Sequence, residues 1–212
     1  MSGSAPELPR QSALVRLLFP FVRLFGWALF LLLGPLRVRG ACRVPRQGGL
    51  LVLSNHLADV DPIAVQLGCP RTITYMAKSD LFPVPILGAV LRAFGAFPVN
   101  RGEPDRGAIK LAIACLKEGR AVGVFPEGEL SPSGDLLPLK PGVVLILRSA
   151  GVPVICARLR HTNRVLPYGK LVPRPAWRRV RVEWSEPRTF DRHASPEEVL
   201  EWAAAWMRGD PA

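Results

Sequence analysis

With 212 residues, 49% of them hydrophobic and 21% charged, the chain has enough apolar material for one domain with a substantial core and is too apolar for a disordered one. The net charge of +11 is uneven: residues 1–46 hold seven arginines against Glu7, residues 47–157 nearly balance, and residues 158–192 hold ten basic groups against Glu183, Glu186 and Asp191. Basic flanks around a neutral centre suit an anionic membrane surface or a phosphate-bearing substrate, and they argue against nucleic acid because no binding motif and few stacking aromatics accompany them.

The chain begins with an apolar lead-in. Between Ser12 and Leu36 the longest uncharged run is Leu24–Leu36, thirteen residues, short of the ~20 that a spanning helix needs. Arg16 and Arg23 lie upstream, seven apart and so on one helical face, and Pro20 is expected to break or kink the helix. The reading is a pair of short helices lying in one leaflet with the arginines at headgroup depth. A single tilted spanning helix and an ordinary buried helix are the alternatives. Residues 1–40 are thus expected to form a membrane-associated helical segment on the cytoplasmic face of the cell membrane, and residues 41–212 a single domain. No secretory-type cleavage site is evident.

From Arg46 onward strand and helix patterns alternate, which argues for an α/β fold with a central mixed sheet flanked by helices. Gly49–Ser54 reads as a buried strand, Pro62–Leu67 as a short helix capped by Asp61, and Arg71–Met76 as a β-branched strand. Pro85–Phe94 reads as a helix ended by Gly95. A third helix, capped by Asp105 and running to Lys117, carries Ile109, Ala112, Ile113 and Leu116 on one face. Ala121–Phe125 is a further buried strand, followed by a loop, a helix from about Gly142 to Ser149, and a strand over Val152–Leu159. Val180, Val182 and Trp184 alternate with charged residues in a half-buried strand, and Ser195-Pro196-Glu197-Glu198 opens a last helix with a capping box. The cysteines Cys42, Cys69, Cys115 and Cys156 are isolated, which suits buried thiols in a reducing compartment and offers no metal-binding pair.

Chemistry gathers at the strand ends. Of the three histidines, only His56 has two carboxylates within five residues, Asp59 and Asp61, and it directly follows a strand. A histidine oriented by a carboxylate makes a general base at neutral pH; the plainer reading is a loop histidine beside a helix-starting Asp. A second cluster runs from Lys78 to Gly95-Ala96-Phe97-Pro98-Val99-Asn100-Arg101, where the arginine can bond a phosphate. Phe125-Pro126-Glu127-Gly128-Glu129-Leu130-Ser131 sets a carboxylate and free backbone N–H groups at a strand end. Gly151-Val152-Pro153-Val154-Ile155 reads first as a core strand.

The order and spacing of these clusters resemble the glycerolipid acyltransferase family, typified by 1-acylglycerol-3-phosphate acyltransferases, over roughly residues 36–160. The family's Asn-His followed by four residues and Asp matches Asn55, His56 and Asp61. Its lysine-led second motif matches Lys78, Gly95, Pro98, Val99 and Arg101; its Phe-Pro-Glu-Gly motif matches Phe125 to Gly128 with Ser131; its Val-Pro-Val strand matches Val152, Pro153 and Val154. Where the third motif usually carries Thr-Arg, this chain has Glu129-Leu130, which removes a cation the family associates with the acceptor's phosphate. Arg101 and Lys140 are the residues placed to compensate.

The resemblance implies transfer of a fatty acyl group from acyl-CoA or acyl-carrier protein, as substrate and not as resident cofactor, to the free hydroxyl of a lysolipid. An alcohol needs a base to attack at neutral pH, and His56 with Asp61 fits that need. Asn55, Lys78, Gly95, Arg101, Glu127, Gly128 and Pro153 are expected to shape the substrate sites, with Arg101 on the headgroup phosphate. Membrane lipids are the expected partners, and neither a metal nor another cofactor is called for. Another lyso acceptor and a non-catalytic lipid binder are the rival readings. The absence of a Gly-x-Ser-x-Gly elbow and of a P-loop disfavours a serine hydrolase or a nucleotidase.

Overall fold

The structure, a computed structural model, describes residues 8, 9, 13–100 and 105–209. In chain order the elements are α1 (Ala13–Leu33), β1 (Leu36–Arg39), β2 (Leu50–Ser54), α2 (Asp61–Gly68), β3 (Ile73–Lys78), α3 (Pro85–Ala93) and β4 (Phe97–Val99). They continue with α4 (Arg106–Lys117), β5 (Ala121–Val124), α5 (Gly142–Ala150), β6 (Val154–Arg160), α6 (Thr162–Val165), β7 (Val180–Trp184) and α7 (Pro196–Arg208). The seven strands form one mixed sheet in the order β1-β7-β6-β2-β5-β3-β4. The run from β6 to β4 is parallel throughout, whereas β7 is antiparallel to β6 and parallel to β1.

Helices cover both faces, so the central strands are apolar on both sides. Alternate residues of β2 divide the core: Leu50 and Val52 face a cluster with Phe30 of α1 and Ala64 and Val65 of α2, while Leu51 and Leu53 face Ala112, Leu116, Leu147 and Ala203 of α4, α5 and α7. Asp105 and Ser195 cap α4 and α7 by accepting from the N–H groups of Ala108 and Glu198. All four cysteines are free thiols; Cys69, Cys115 and Cys156 are buried and Cys42 is exposed. Burial pushes the Cys69 thiol up to about 11 and that of Cys156 higher still.

The expected α/β fold with a mixed sheet is borne out, with three corrections. β1, β4 and α6 have only four, three and four residues and give no periodicity to read. Because β1 pairs with β7, the boundary drawn at residue 40 cuts into the sheet, and Leu36–Arg39 belongs with the α/β domain. The lead-in is one continuous helix through Pro20 rather than a broken pair. The missing N–H costs about 3 kcal/mol in a helix interior. It is offset downstream, where Arg23 donates to the carbonyls of Leu67 (3.0 Å) and Cys69 (2.8 Å), Gly26 lies against Leu67, and Phe30 is buried. The remaining sides of α1 expose Phe21, Leu24, Phe25, Leu31 and Leu32. Among the described residues no helix is long and apolar enough to cross a membrane.

Candidate active site

The parallel arrangement brings the C-terminal ends of β2, β5 and β3 together, and the polar motifs hang from those ends. Asn55 and His56 follow β2 directly. The chain then turns, and Asp61 returns its carboxylate beneath the turn. Its Oδ2 accepts from His56 Nδ1 at 3.0 Å and from the backbone N–H groups of Leu57 at 2.5 Å and Ala58 at 2.8 Å. Asp61 is the first residue of α2 but does not cap that helix, whose N-cap is Val60. Its side chain fastens the preceding turn instead. Asp59, the rival orienter, is exposed and makes no hydrogen bond to His56.

This geometry fixes the tautomer. A carboxylate opposite Nδ1 keeps the proton there and leaves Nε2 as the acceptor. Among the described residues nothing hydrogen-bonds Nε2. The imidazole stacks on Phe125, ring centroids 4.1 Å apart and planes 21° apart, and Phe125 in turn stacks on Tyr75 at 6.1 Å. Gly123 makes that stack possible, because a Cβ there would lie 2.5 Å from the Tyr75 ring. Phe125 and Tyr75 were missed as site residues. The signal was in plain view, since Phe125 leads the Phe-Pro-Glu-Gly motif and Tyr75 alternates with Ile73 along β3.

Two residues expected on the substrate act on the backbone. Asn55 pairs its side-chain amide with both polar groups of Leu159, accepting at 2.7 Å and donating at 3.1 Å, and so locks the His56 turn to the end of β6. Glu127 is buried and bridges two loops: Oε1 accepts from the His56 N–H at 2.6 Å and Oε2 from the Leu137 N–H at 2.8 Å. Burial raises the Glu127 carboxyl above its ordinary value, against the two N–H groups that lower it. Ser131 adds a third tie, its N–H donating to the His56 carbonyl at 3.0 Å. Gly128 holds φ +77°, a left-handed conformation, and its N–H donates to the Phe125 carbonyl. With no side chain at that position, the Lys140 ammonium lies 2.6 Å from where a Cβ would stand.

The remaining predicted residues divide. Lys78 ends β3, three residues past the Tyr75–Gly123 pair, and forms a 2.5 Å ion pair with Asp80. Gly95 turns α3 into edge strand β4 rather than meeting His56. Pro153 precedes β6 and its carbonyl accepts from Leu51, which sets it at the opposite end of the sheet, roughly 20 Å from His56 at ~3.3 Å per strand residue. Arg101 lies outside the described residues. A polar cavity of about 370 Å³ opens beside Asn55 and Leu57, with Arg160, His161, Asn163 and Arg164 in its wall. No motif flagged those four. Among the described residues no three His, Cys, Asp or Glu side chains gather in a metal-holding group.

Residues 35–160, more than half of the chain, match the family model described as Acyltransferase. The chain belongs to the acyltransferase family. The chain is 36% identical over 125 residues to the 1-acyl-sn-glycerol-3-phosphate acyltransferase of Bacillus subtilis, covering 58% of this chain and 62% of that one. It is 31% identical over 130 residues to the enzyme of the same name from Borreliella burgdorferi, covering 59% and 51%. The chain therefore spans about half to three fifths of the length of these relatives. Its fold also resembles the crystal structure of the acyltransferase PlsC from Thermotoga maritima, with a TM-score of 0.73 and 25% identity over 92% of this chain and 82% of that one.

Proposed function

We propose that this acyltransferase moves a fatty acyl group from an acyl thioester to the free hydroxyl of a lysolipid at a membrane, with 1-acylglycerol-3-phosphate as acceptor and phosphatidic acid as product. The observation that carries the reading is the buried His56–Asp61 pair with Nε2 left open at the sheet's C-terminal end. Nε2 takes the proton as the acceptor oxygen attacks the thioester carbonyl. Asp61 stabilises the resulting imidazolium. Collapse of the tetrahedral intermediate breaks the carbon–sulfur bond, and the departing thiolate takes the proton from Nε2. The Gly128 N–H is occupied by Phe125, so oxyanion donors must come from elsewhere in the turn or from the substrate's own surroundings. The chemistry asks for no metal or other cofactor, and either coenzyme A or carrier protein supplies a suitable thioester.

A glycerophosphate acceptor is supported by the names of the relatives and by the cation Lys140 beside Gly128. Leu130 favours one specific alternative, a lysolipid without a phosphate monoester, because it deprives the third motif of its arginine. Membrane association is supported by the exposed apolar sides of α1. The test is product detection by mass spectrometry with acyl-CoA, acyl-carrier protein and a panel of lysolipids, beside His56→Ala. Phosphatidic acid formed by the wild type and lost in the variant is the expected result. Product from another lysolipid alone would transfer the assignment to that acceptor, and product from none would remove the catalytic reading.

A further inference from the structure

The segment between α6 and β7, residues 166–179, is the most exposed apolar stretch outside α1. Trp177 is 94% exposed, Leu171 93%, Val172 77% and Tyr168 56%. Four cations, Lys170, Arg174, Arg178 and Arg179, are interleaved with them and exposed too. No acidic residue occurs anywhere between Asp135 and Glu183. The backbone beneath is held firmly: Arg174 donates its N–H to the Val165 carbonyl at 2.8 Å and Ala176 donates to Leu33 at 2.6 Å. Trp177 sits at φ +50°, uncommon for a bulky residue, beside the buried Ala176. The segment is thus pinned by its backbone while its large side chains stand in solvent.

We propose that this segment is a second membrane contact, laying Trp177, Leu171 and Val172 into the interface of an anionic bilayer while its four cations meet lipid phosphates. The inference rests on the membrane-associated reading above and adds a named surface to it. Aromatic and aliphatic side chains beside Lys and Arg, with no acid, are the composition that partitions to an anionic lipid interface. The Ala176–Leu33 hydrogen bond makes the segment continuous with the end of α1, whose exposed sides carry Leu31 and Leu32. A second copy is a poor occupant, because a self-complementary contact would set these cations against themselves. One helix fixes a line on a bilayer; a second contact fixes rotation about that line. It also holds the catalytic end at the lipid, since the His161 Nδ1–H donates to the Arg179 carbonyl at 2.9 Å and His161 lines the cavity beside Asn55.

The experiment uses the full chain with Cys42→Ser, which leaves only buried thiols, and Trp177→Cys carrying an environment-sensitive dye. Vesicles of phosphatidylcholine alone, and of phosphatidylcholine with an equal part of phosphatidylglycerol, are added while sedimentation reports total binding. The dye is expected to shift to the blue with the mixed vesicles. Lys170→Gln and Arg174→Gln are expected to weaken vesicle affinity about fivefold each. An unshifted dye on protein that still sediments with vesicles would overturn this contact and leave α1 as the anchor. Failure of the unsubstituted chain to sediment would overturn the membrane reading itself. A blue shift that grows with protein concentration before lipid is added would overturn the lipid assignment in favour of a second copy.

Discussion

Asp61 concentrates three donors on one oxygen, while Oδ1 accepts no hydrogen bond among the described residues. Its replacement therefore does two things at once. Asp61→Asn keeps the volume but offers an amide that no longer enforces the Nδ1–H tautomer, and activity should fall by roughly 10²–10⁴ in kcat. Asp59→Asn should change kcat little, and steady-state kinetics of the pair checks the assignment. Glu127 carries a pH signature. Its carboxyl is raised above the usual 4.5, chiefly by burial. A raised acid contributes stability that is complete below its unfolded value and fades as pH climbs through the folded one. Wild type should lose melting temperature relative to Glu127→Gln as pH rises from about 4.5; parallel curves would remove the claim. The pairing of His56 with an acid was legible in the spacing of the motif. The work of Asn55 and Glu127 was not, because their partners are the backbones of Leu159, His56 and Leu137, and side-chain patterns carry no record of backbone position.

Strands and helices of ordinary length announced themselves. β2, β5 and β6 are apolar runs bounded by turn residues, and α4 and α7 show a buried stripe and a capping residue. β4 was hidden by Pro98, which is tolerated because β4 is the edge strand of the sheet. The glycine of β5 was readable as a buried position, yet its purpose depends on β3 beside it. Gly123→Ala would place a methyl 2.5 Å from the Tyr75 ring and 2.8 Å from Ile73. We expect a loss of about 1–3 kcal/mol in chemical denaturation. Activity should fall with it as Tyr75 presses on the Phe125–His56 stack. Tyr75→Phe should do the opposite for stability. The Tyr75 hydroxyl is buried without a partner, and burial drives its ionisation well above the ordinary value. Removing an unsatisfied hydroxyl should raise stability by roughly 1 kcal/mol with turnover unchanged, measured on the same denaturation and assay.

At the scale of the whole molecule, the basic flanks and the exposed sides of α1 predict recruitment to anionic surfaces that salt opposes. The Debye length shrinks from about 10 Å at 0.1 M to about 3 Å at 1 M, so sedimentation with anionic vesicles should weaken across that range. The apolar contribution of Phe21, Phe25 and Leu32 should persist as a salt-insensitive remainder. Binding indifferent to salt would rule out the electrostatic share. The sequence by itself determined the α/β class, the family, the company of His56 with nearby carboxylates and the charge asymmetry, because each is written in periodicity, spacing or composition along the chain. Only the tertiary structure decided that Asp61 rather than Asp59 orients His56, that Glu127 ties two loops together, and that residues 166–179 meet the end of α1. It also showed α1 running unbroken through Pro20. These outcomes depend on which distant backbone groups the fold brings within hydrogen-bonding reach, and that reach is set by sheet order and helix docking rather than by neighbours in the chain.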